Sequence, residues 1–201
     1  MASEAARSVL NQVIKALAPL GTPFSLVGGL ALAVWSYPRS TRDVDLLVGV
    51  DHKNAQPLIN ALTAIGCRPK RIPPIHRVGE HSFLHFLYTP PGEFYDVQFD
   101  LLLAETELEK CALANSVVRE VSGVEGPIRV INCADLILLK LVSGRMIDRA
   151  DAAMLLRENR EGIDFAYLNK WVTKLGIDGE FAEIWREAFP DEALPVSRSE
   201  E

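Results

Sequence analysis

Residues 26–48 read LVGGLALAVWSYPRSTRDVDLLV, and this stretch decides the fold. The apolar run Phe24–Val27 has the length and composition of a short strand, and Gly28-Gly29 follow it at once. The small-residue run LALAVWSY then reads as a helix that Pro38 terminates, and Asp43–Val50 (DVDLLVGV) reads as a second, half-buried strand. Side chains two apart on a strand leave from the same face, so Asp43 and Asp45 point together. Two carboxylates side by side repel unless a cation sits between them, and hard oxygen ligands suit Mg²⁺. Two glycines at a strand-to-helix turn let a phosphate approach the backbone N–H groups closely. Each feature alone is weak; in this order, with apolar residues flanking both, they describe a place for a metal–triphosphate.

Working outward, residues 3–18 carry Ala6, Val9, Leu10, Val13, Ile14 and Leu17 at helical spacing, and Pro19, Gly21 and Pro23 end that helix. A helix is expected over 54–65. His81–Tyr88 and Phe94–Leu103 flank TPPGE as a hairpin. Thr106 and Glu109 form a capping box for a short helix to Ala114. Val117–Val121 and Ile128–Ile131 suggest a second hairpin. From Asn132 the chain turns wholly helical, over 133–143, 147–158, 164–175 and 179–189. The expected layout is an α+β core over 1–131, a helical C-terminal part over 132–190 packed on it, and a loose tail over 191–201.

The 201 residues are 48% hydrophobic and 24% charged, which excludes a disordered or collagen-like chain. Twenty-one Lys+Arg against 27 Asp+Glu leave a net charge of −6, so no broad basic face exists for duplex nucleic acid. Cys67, Cys111 and Cys133 form no CxxC pair, which argues against a disulfide framework or a zinc knuckle and fits a reducing compartment. Residues 16–38 lack charge over a span near the ~20 residues that cross a bilayer, but Pro19, Pro23, Gly21, Gly28 and Gly29 cut it into short pieces. A buried interior, a cytoplasmic chain and no membrane partner are expected.

The pattern apolar-Gly-Gly, thirteen residues, then Asp-apolar-Asp-apolar resembles the signature of the nucleotidyltransferase superfamily related to polymerase beta. RSTRDVDLLV, FDLLLA and ADLILLKLVSGRMIDRADAAMLL resemble its AbiEii/AbiGii-type branch, which includes toxins of toxin–antitoxin pairs. The resemblance spans residues 24–158. It implies a nucleotidyltransferase fold with a short mixed sheet flanked by helices. It also implies two divalent cations (Mg²⁺, or Mn²⁺) on Asp43 and Asp45, with a third carboxylate from a neighbouring strand. Asp96 and Asp100 both fit the parity of Phe94–Leu103 and share a face with Gln98. Asp96 sits by a turn, whereas Asp100 is wedged among Phe99, Leu101, Leu102 and Leu103, where an ionised group needs a reason to be. Asp100 is therefore expected as third ligand and base.

Gly28, Gly29, Arg39 and Arg42 are the expected phosphate contacts near Asp43, the two arginines reading equally as surface charges that balance the acids. Lys140 interrupts the apolar run LILLKLV, so it must snorkel or meet an anion; the resemblance places it toward phosphate, its ammonium in the cleft beside Gly28-Gly29 and Asp43. Asp148 and Asp151 share a helix face. Asp148 reads as an acid of a first helical turn, Asp151 as a weaker site candidate beside AAMLL. His81 and His85 lie on one strand face without a third ligand, so zinc is not expected. The expected activity moves a nucleoside monophosphate from an NTP to an acceptor hydroxyl on RNA, a protein or a small molecule, with an antitoxin protein as an expected kind of partner. The alternative is a non-catalytic nucleotide- or protein-binding module on the same fold.

Overall fold

The computed structural model describes residues 3–41 and 43–195. The chain divides into two compact units, Met1–Val34 with Pro38–Ile131, and Trp35–Tyr37 with Asn132–Glu201. The first holds α1 (Glu4–Leu17), β1 (Phe24–Val27), α2 (Gly28–Val34), β2 (Val44–Val48) and α3 (Gln56–Ala64). It continues through β3 (Arg68–Pro69), β4 (Ile75–Val78), β5 (His81–Tyr88), β6 (Val97–Leu103), α4 (Glu107–Ala114), β7 (Val117–Arg119) and β8 (Ile128–Val130). The second holds α5 (Cys133–Ser143), α6 (Met146–Asn159), α7 (Phe165–Leu175) and α8 (Asp178–Ala188). The class is α+β.

One mixed sheet runs in the order β3-β5-β6-β2-β1-β8-β7, with β4 also on β5. The β2–β6 and β1–β8 pairs are parallel and the others antiparallel. Alternation separates its two faces. Leu84 and Phe86 of β5, Phe99 and Leu101 of β6, and Val44 and Leu46 of β2 are all fully buried on one face. Phe86 and Phe99 are in register and stack at 5.4 Å between ring centroids. The helix α1 packs on β2, β6 and α3 through Ala6, Val9, Leu10, Val13 and Leu17. A Ser3 cap that accepts from Ala6 N–H starts that helix. The opposite face carries Asp45, Gln98, Asp100, His85 and Phe83, all half-buried. A β-strand that alternates this cleanly has one dry side and one side available for chemistry.

Two elements were not legible in the sequence. β3 and β4 lie in RPKRIPPIHRV, where prolines and cations interrupt any alternation. They form because β5 offers a free edge, and short Pro- and cation-rich strands are how sheet edges end. The hairpin also differs at its turn: Phe94, Tyr95 and Asp96 stay outside β6, and Phe94 is fully exposed. In the helical unit, Trp185 packs among Phe165, Phe181 and Phe189, and Trp171 is buried too. In the expected tail, Pro195 accepts from Asn169 Nδ2 and Glu192 pairs with Arg160; residues 196–201 lie outside the described residues. Among the described residues no helix is long and apolar enough to cross a membrane.

A buried polar network joins β5 to the start of α4. The capping box is present: Glu109 N–H donates to Thr106 Oγ1 and Thr106 N–H donates to Glu109 Oε2. His81 Nδ1 lies 2.6 Å from the other Glu109 oxygen, and that bond raises the imidazole pKa against the opposing effect of burial. Next to it, burial would raise the Glu105 carboxyl, but bonds from Ser82 Oγ, His52 N–H and the His52 ring outweigh it and hold the group at about 2. Its ordinary value is 4.5. A carboxyl depressed on folding stabilises the protein above its unfolded pKa, and loses that contribution as pH falls through the folded one. With Glu105 only 13% exposed, the contribution is about 3 kcal/mol at neutral pH, lost between about pH 4.5 and 2. Urea unfolding at pH 7, 4.5 and 3 should show Glu105→Gln less stable at pH 7, with a shallower decline in acid. Parallel declines in variant and parent would refute this.

Candidate functional site

The site begins with strand register. Asp45 on β2 lies directly beside Asp100 on β6, and Asp100 lies directly opposite His85 on β5. One row of side chains, Asp45–Asp100–His85, therefore crosses three strands on the half-exposed face. Neighbouring strands lie about 4.8 Å apart. Two ionised carboxylates at that spacing repel by about 3 kcal/mol at an effective dielectric near 20. The fold accepts this and braces the second acid. His85 Nδ1 donates to Asp100 Oδ1 at 2.8 Å, and Gln98 Nε2 lies 3.0 Å from both oxygens. Asp100 keeps 23% of its side-chain surface open.

The glycine turn closes on the same row. Val27 pairs with Asp45, so Gly28 leaves the sheet at the level of that carboxylate. A Cβ on Gly28 would stand 2.0 Å from Asp45 Oδ2 and 2.5 Å from its Cγ, and the residue has φ +63°. Only glycine permits both the backbone turn and the approach. Gly29 is crowded differently, since a Cβ there would lie 2.7 Å from Thr41 Oγ1. The Thr41 side chain fills that space and donates to the Asp43 carbonyl at 3.3 Å, which ties the incoming loop to the turn.

Gly28→Ala is expected to push the Asp45 carboxylate out of the row and to lower transfer at least 100-fold. Left-handed strain of roughly 1–2 kcal/mol should lower the melting temperature by about 5 °C. Gly21→Ala separates the two effects, because Gly21 has φ +62° with nothing within 4 Å of a Cβ. It should show the melting shift with full activity. Equal activity in both variants would detach Gly28 from the site.

The three acids expected to converge are brought together in part. Asp45 and Asp100 are neighbours by register, whereas Asp43 is exposed and precedes the first ladder residue, Val44, so no strand pairing holds it. Among the described residues no three His, Cys, Asp or Glu side chains form a group that could hold a metal ion by themselves. The donor chemistry still fits a hard divalent cation of the Mg²⁺ type, which binds through one or two carboxylates with phosphate and water oxygens completing its shell. Asp45 and Asp100 supply such a pair.

Other expected residues fall elsewhere. Asp96 lies outside β6 and is held by Thr89 Oγ1 at 2.6 Å and Arg68 at 2.5 Å; with Thr89 the larger influence, its pKa is lowered. Arg39 is half-buried in the loop before β2, its Nη1 3.4 Å from the Ser40 carbonyl. Arg42 lies outside the described residues. Lys140, expected beside Gly28-Gly29 or out in solvent, is buried in the helical unit with its ammonium 2.5 Å from Asp148 and 2.8 Å from Asp151. Asp148 does stand in the first turn of α6, but fully buried, and it also binds Ser143 and Arg145. An apolar helix can carry a lysine inward when two carboxylates await it.

At the sequence level His85 is weighed only as a zinc ligand, and Gln98 only as a neighbour on the acids' face. Parity within β6 puts Gln98 on the face of Asp100, whereas the hairpin register alone brings His85 to that face.

Residues 12–200 match the model of the family described as nucleotidyl transferase AbiEii toxin, Type IV TA system. The chain belongs to this family. The match reaches beyond residues 24–158 at both ends and takes in the full set of C-terminal helices. No individually curated sequence matches this AbiEii-family chain. Among solved structures it is similar to an antigenic nucleotidyltransferase-like protein from Paracoccidioides brasiliensis, at 15% identity and TM-score 0.51, over 92% of this chain and 97% of that one. It is also similar to the antibiotic-resistance factor ANT(2'')-Ia, at 14% identity and TM-score 0.53, over 90% of this chain and 95% of that one. These likenesses show a nucleotidyltransferase fold.

Proposed function

We propose that the chain transfers a nucleoside monophosphate from an NTP to an acceptor hydroxyl and releases pyrophosphate, as the toxin of a toxin–antitoxin pair. The observation that carries this reading is the register of Asp45 beside Asp100, with the Gly28 backbone against Asp45. Asp45 and Asp100, joined by Asp43 once metal and NTP are bound, would hold Mg²⁺ or Mn²⁺, which would supply positive charge at the phosphates. Asp100, steadied by His85 and Gln98, takes the proton of the acceptor hydroxyl. The acceptor oxygen forms its bond to the α-phosphorus as the bond from that phosphorus to the pyrophosphate oxygen breaks. Gly28 and Gly29 let the triphosphate lie close to the backbone, and Arg39 and Arg42 balance its charge. Lys140 is assigned first to its two carboxylates, a structural task.

The test is pyrophosphate release from each of the four NTPs, with Mg²⁺, with Mn²⁺ and with EDTA. Metal-dependent release is the expected result. Metal-dependent NTP binding without release under any acceptor would favour the non-catalytic module instead. Growth arrest on expression, abolished by Asp45→Asn, would support the toxin role.

A further inference from the structure

Strand register extends the row of acids by one more strand. Pro69, the last residue of β3, pairs with Phe86, and the next residue, Lys70, donates its backbone N–H to the His85 carbonyl at 2.8 Å. Residues opposite each other on adjacent strands share a face, so Lys70 stands on the face of His85 and Asp100. Lys70 is exposed, and its ammonium donates to Gln98 Oε1 at 2.5 Å. Gln98 Nε2 lies 3.0 Å from both Asp100 oxygens, and His85 Nδ1 donates to Oδ1 at 2.8 Å. The four residues therefore close a circuit: Lys70 bonds to His85 and to Gln98, and each of these bonds to Asp100. Chemistry fixes its direction. An ammonium only donates and a carboxylate only accepts, so the Gln98 amide must turn its oxygen to Lys70 and its NH₂ to Asp100. Two donors fill the lone pairs of Oδ1, whereas Oδ2 takes only a share of the Gln98 donor and keeps room for a cation or a proton. The Phe83 ring stacks on His85 at 5.9 Å with planes 9° apart, which holds the imidazole in its place in the circuit.

We infer that Lys70 is a positioning residue of this site and that it acts on Asp100 through Gln98. A glutamine side chain is long and rich in rotamers, so an amide gripped only by Asp100 swings off toward water for part of the time. Gripped at both ends, it stays, and Asp100 is fixed from two sides, by Gln98 and by His85. The ammonium also polarises the amide, which strengthens the N–H donor that faces the carboxylate. Lys70 itself touches no reacting atom. Its effect is to keep Oδ1 occupied and Oδ2 presented in one direction. The inference rests on the transferase reading for the task of Asp100; the hydrogen-bond circuit stands apart from it.

The test uses the full chain. Lys70→Met keeps an unbranched stem and removes the donor, at an exposed position where the fold tolerates the change. It should lower kcat for pyrophosphate release about tenfold, with KM for the NTP within about twofold. Lys70→Arg can still donate, and it should restore kcat to within about threefold of the parent. Gln98→Met should cost about 10–100-fold, and adding Lys70→Met to it should cost less than about twofold more, because the lysine has lost the group through which it acts. In EDTA without NTP, heteronuclear NMR should show the Gln98 side-chain amide exchanging its protons with water about tenfold faster in Lys70→Met. Should Gln98→Met fail to fold, the exchange rate and the split between kcat and KM decide. An unchanged exchange rate overturns the inference. So does a raised KM with kcat intact, which would make Lys70 a contact of the NTP. An equal loss from Lys70→Met in the Gln98→Met background overturns it too, since the lysine would then act on its own. If the amide responds as expected while the parent releases no pyrophosphate from any NTP, the circuit stands and the transferase reading falls.

Discussion

Asp45→Asn is expected to lower transfer at least about 10³-fold without harming the fold. The asparagine has the same size and keeps one oxygen, so packing is unchanged, but it withdraws a charge from the place where cation and phosphate charge must be balanced. Losses of that order follow removal of a single group that stabilises developing charge. The effect on stability should have the opposite sign. Asp45 stands beside Asp100, and neutralising one relieves their mutual repulsion, which solvent reaching both already weakens. The metal-free melting temperature should therefore hold or rise slightly. Pyrophosphate release and thermal unfolding in EDTA measure the two effects. A fall of more than about 5 °C would make this acid structural, and retained transfer would remove it from the site.

The second large effect is on folding. Lys140→Met is expected to destabilise the chain by about 3–5 kcal/mol, or about 10 °C in melting temperature, because Asp148 and Asp151 then stay buried without their cation. Burial by itself would raise the Asp148 carboxyl, but Lys140, Ser143 and Arg145 together hold it below its ordinary value. Its stabilising contribution is thus present above pH 3.8 and fades as pH falls through the lowered folded value. With the lysine gone the Asp148 carboxylate protonates more readily, so the deficit of the variant should be smaller at pH 4.5 than at pH 7.5. Adding Asp148→Asn to Lys140→Met should recover part of the loss. A melting temperature within 2 °C of the parent would show that solvent already neutralises the pair. The sequence points this lysine toward a phosphate or solvent; the two carboxylates in the first two turns of the next helix make its removal costly.

Patterns of short range were legible before any coordinates. The strand Phe24–Val27, the helix Cys133–Ser143 and the Thr106–Glu109 capping box depend on spacing, turn residues and local hydrogen bonds, all of which lie within a few residues of one another. The approach of Gly28 to Asp45 was legible too, because strand parity and the strand-to-helix turn are properties of one continuous segment. Parity likewise narrowed the third acid to Asp96 or Asp100. What parity leaves open is register across a loop of variable length. Strand ends taken from the sequence start the second strand at Phe94, whereas the ladder starts at Val97 opposite Tyr88. That shift of three residues decides that His85 faces Asp100 and that Asp96 is left to Arg68 and Thr89. Burial on the far face settles it, since Phe86 must meet Phe99 and Leu84 must meet Leu101. β3 and β4 form for a similar reason: a segment of prolines and cations has no strand tendency of its own, and the open edge of β5 supplies its partner. The sequence by itself therefore determined which residues could do chemistry, because that is written in residue type and local period. Only the tertiary structure decided which of them meet, because contacts between distant segments are chosen by the core they jointly bury.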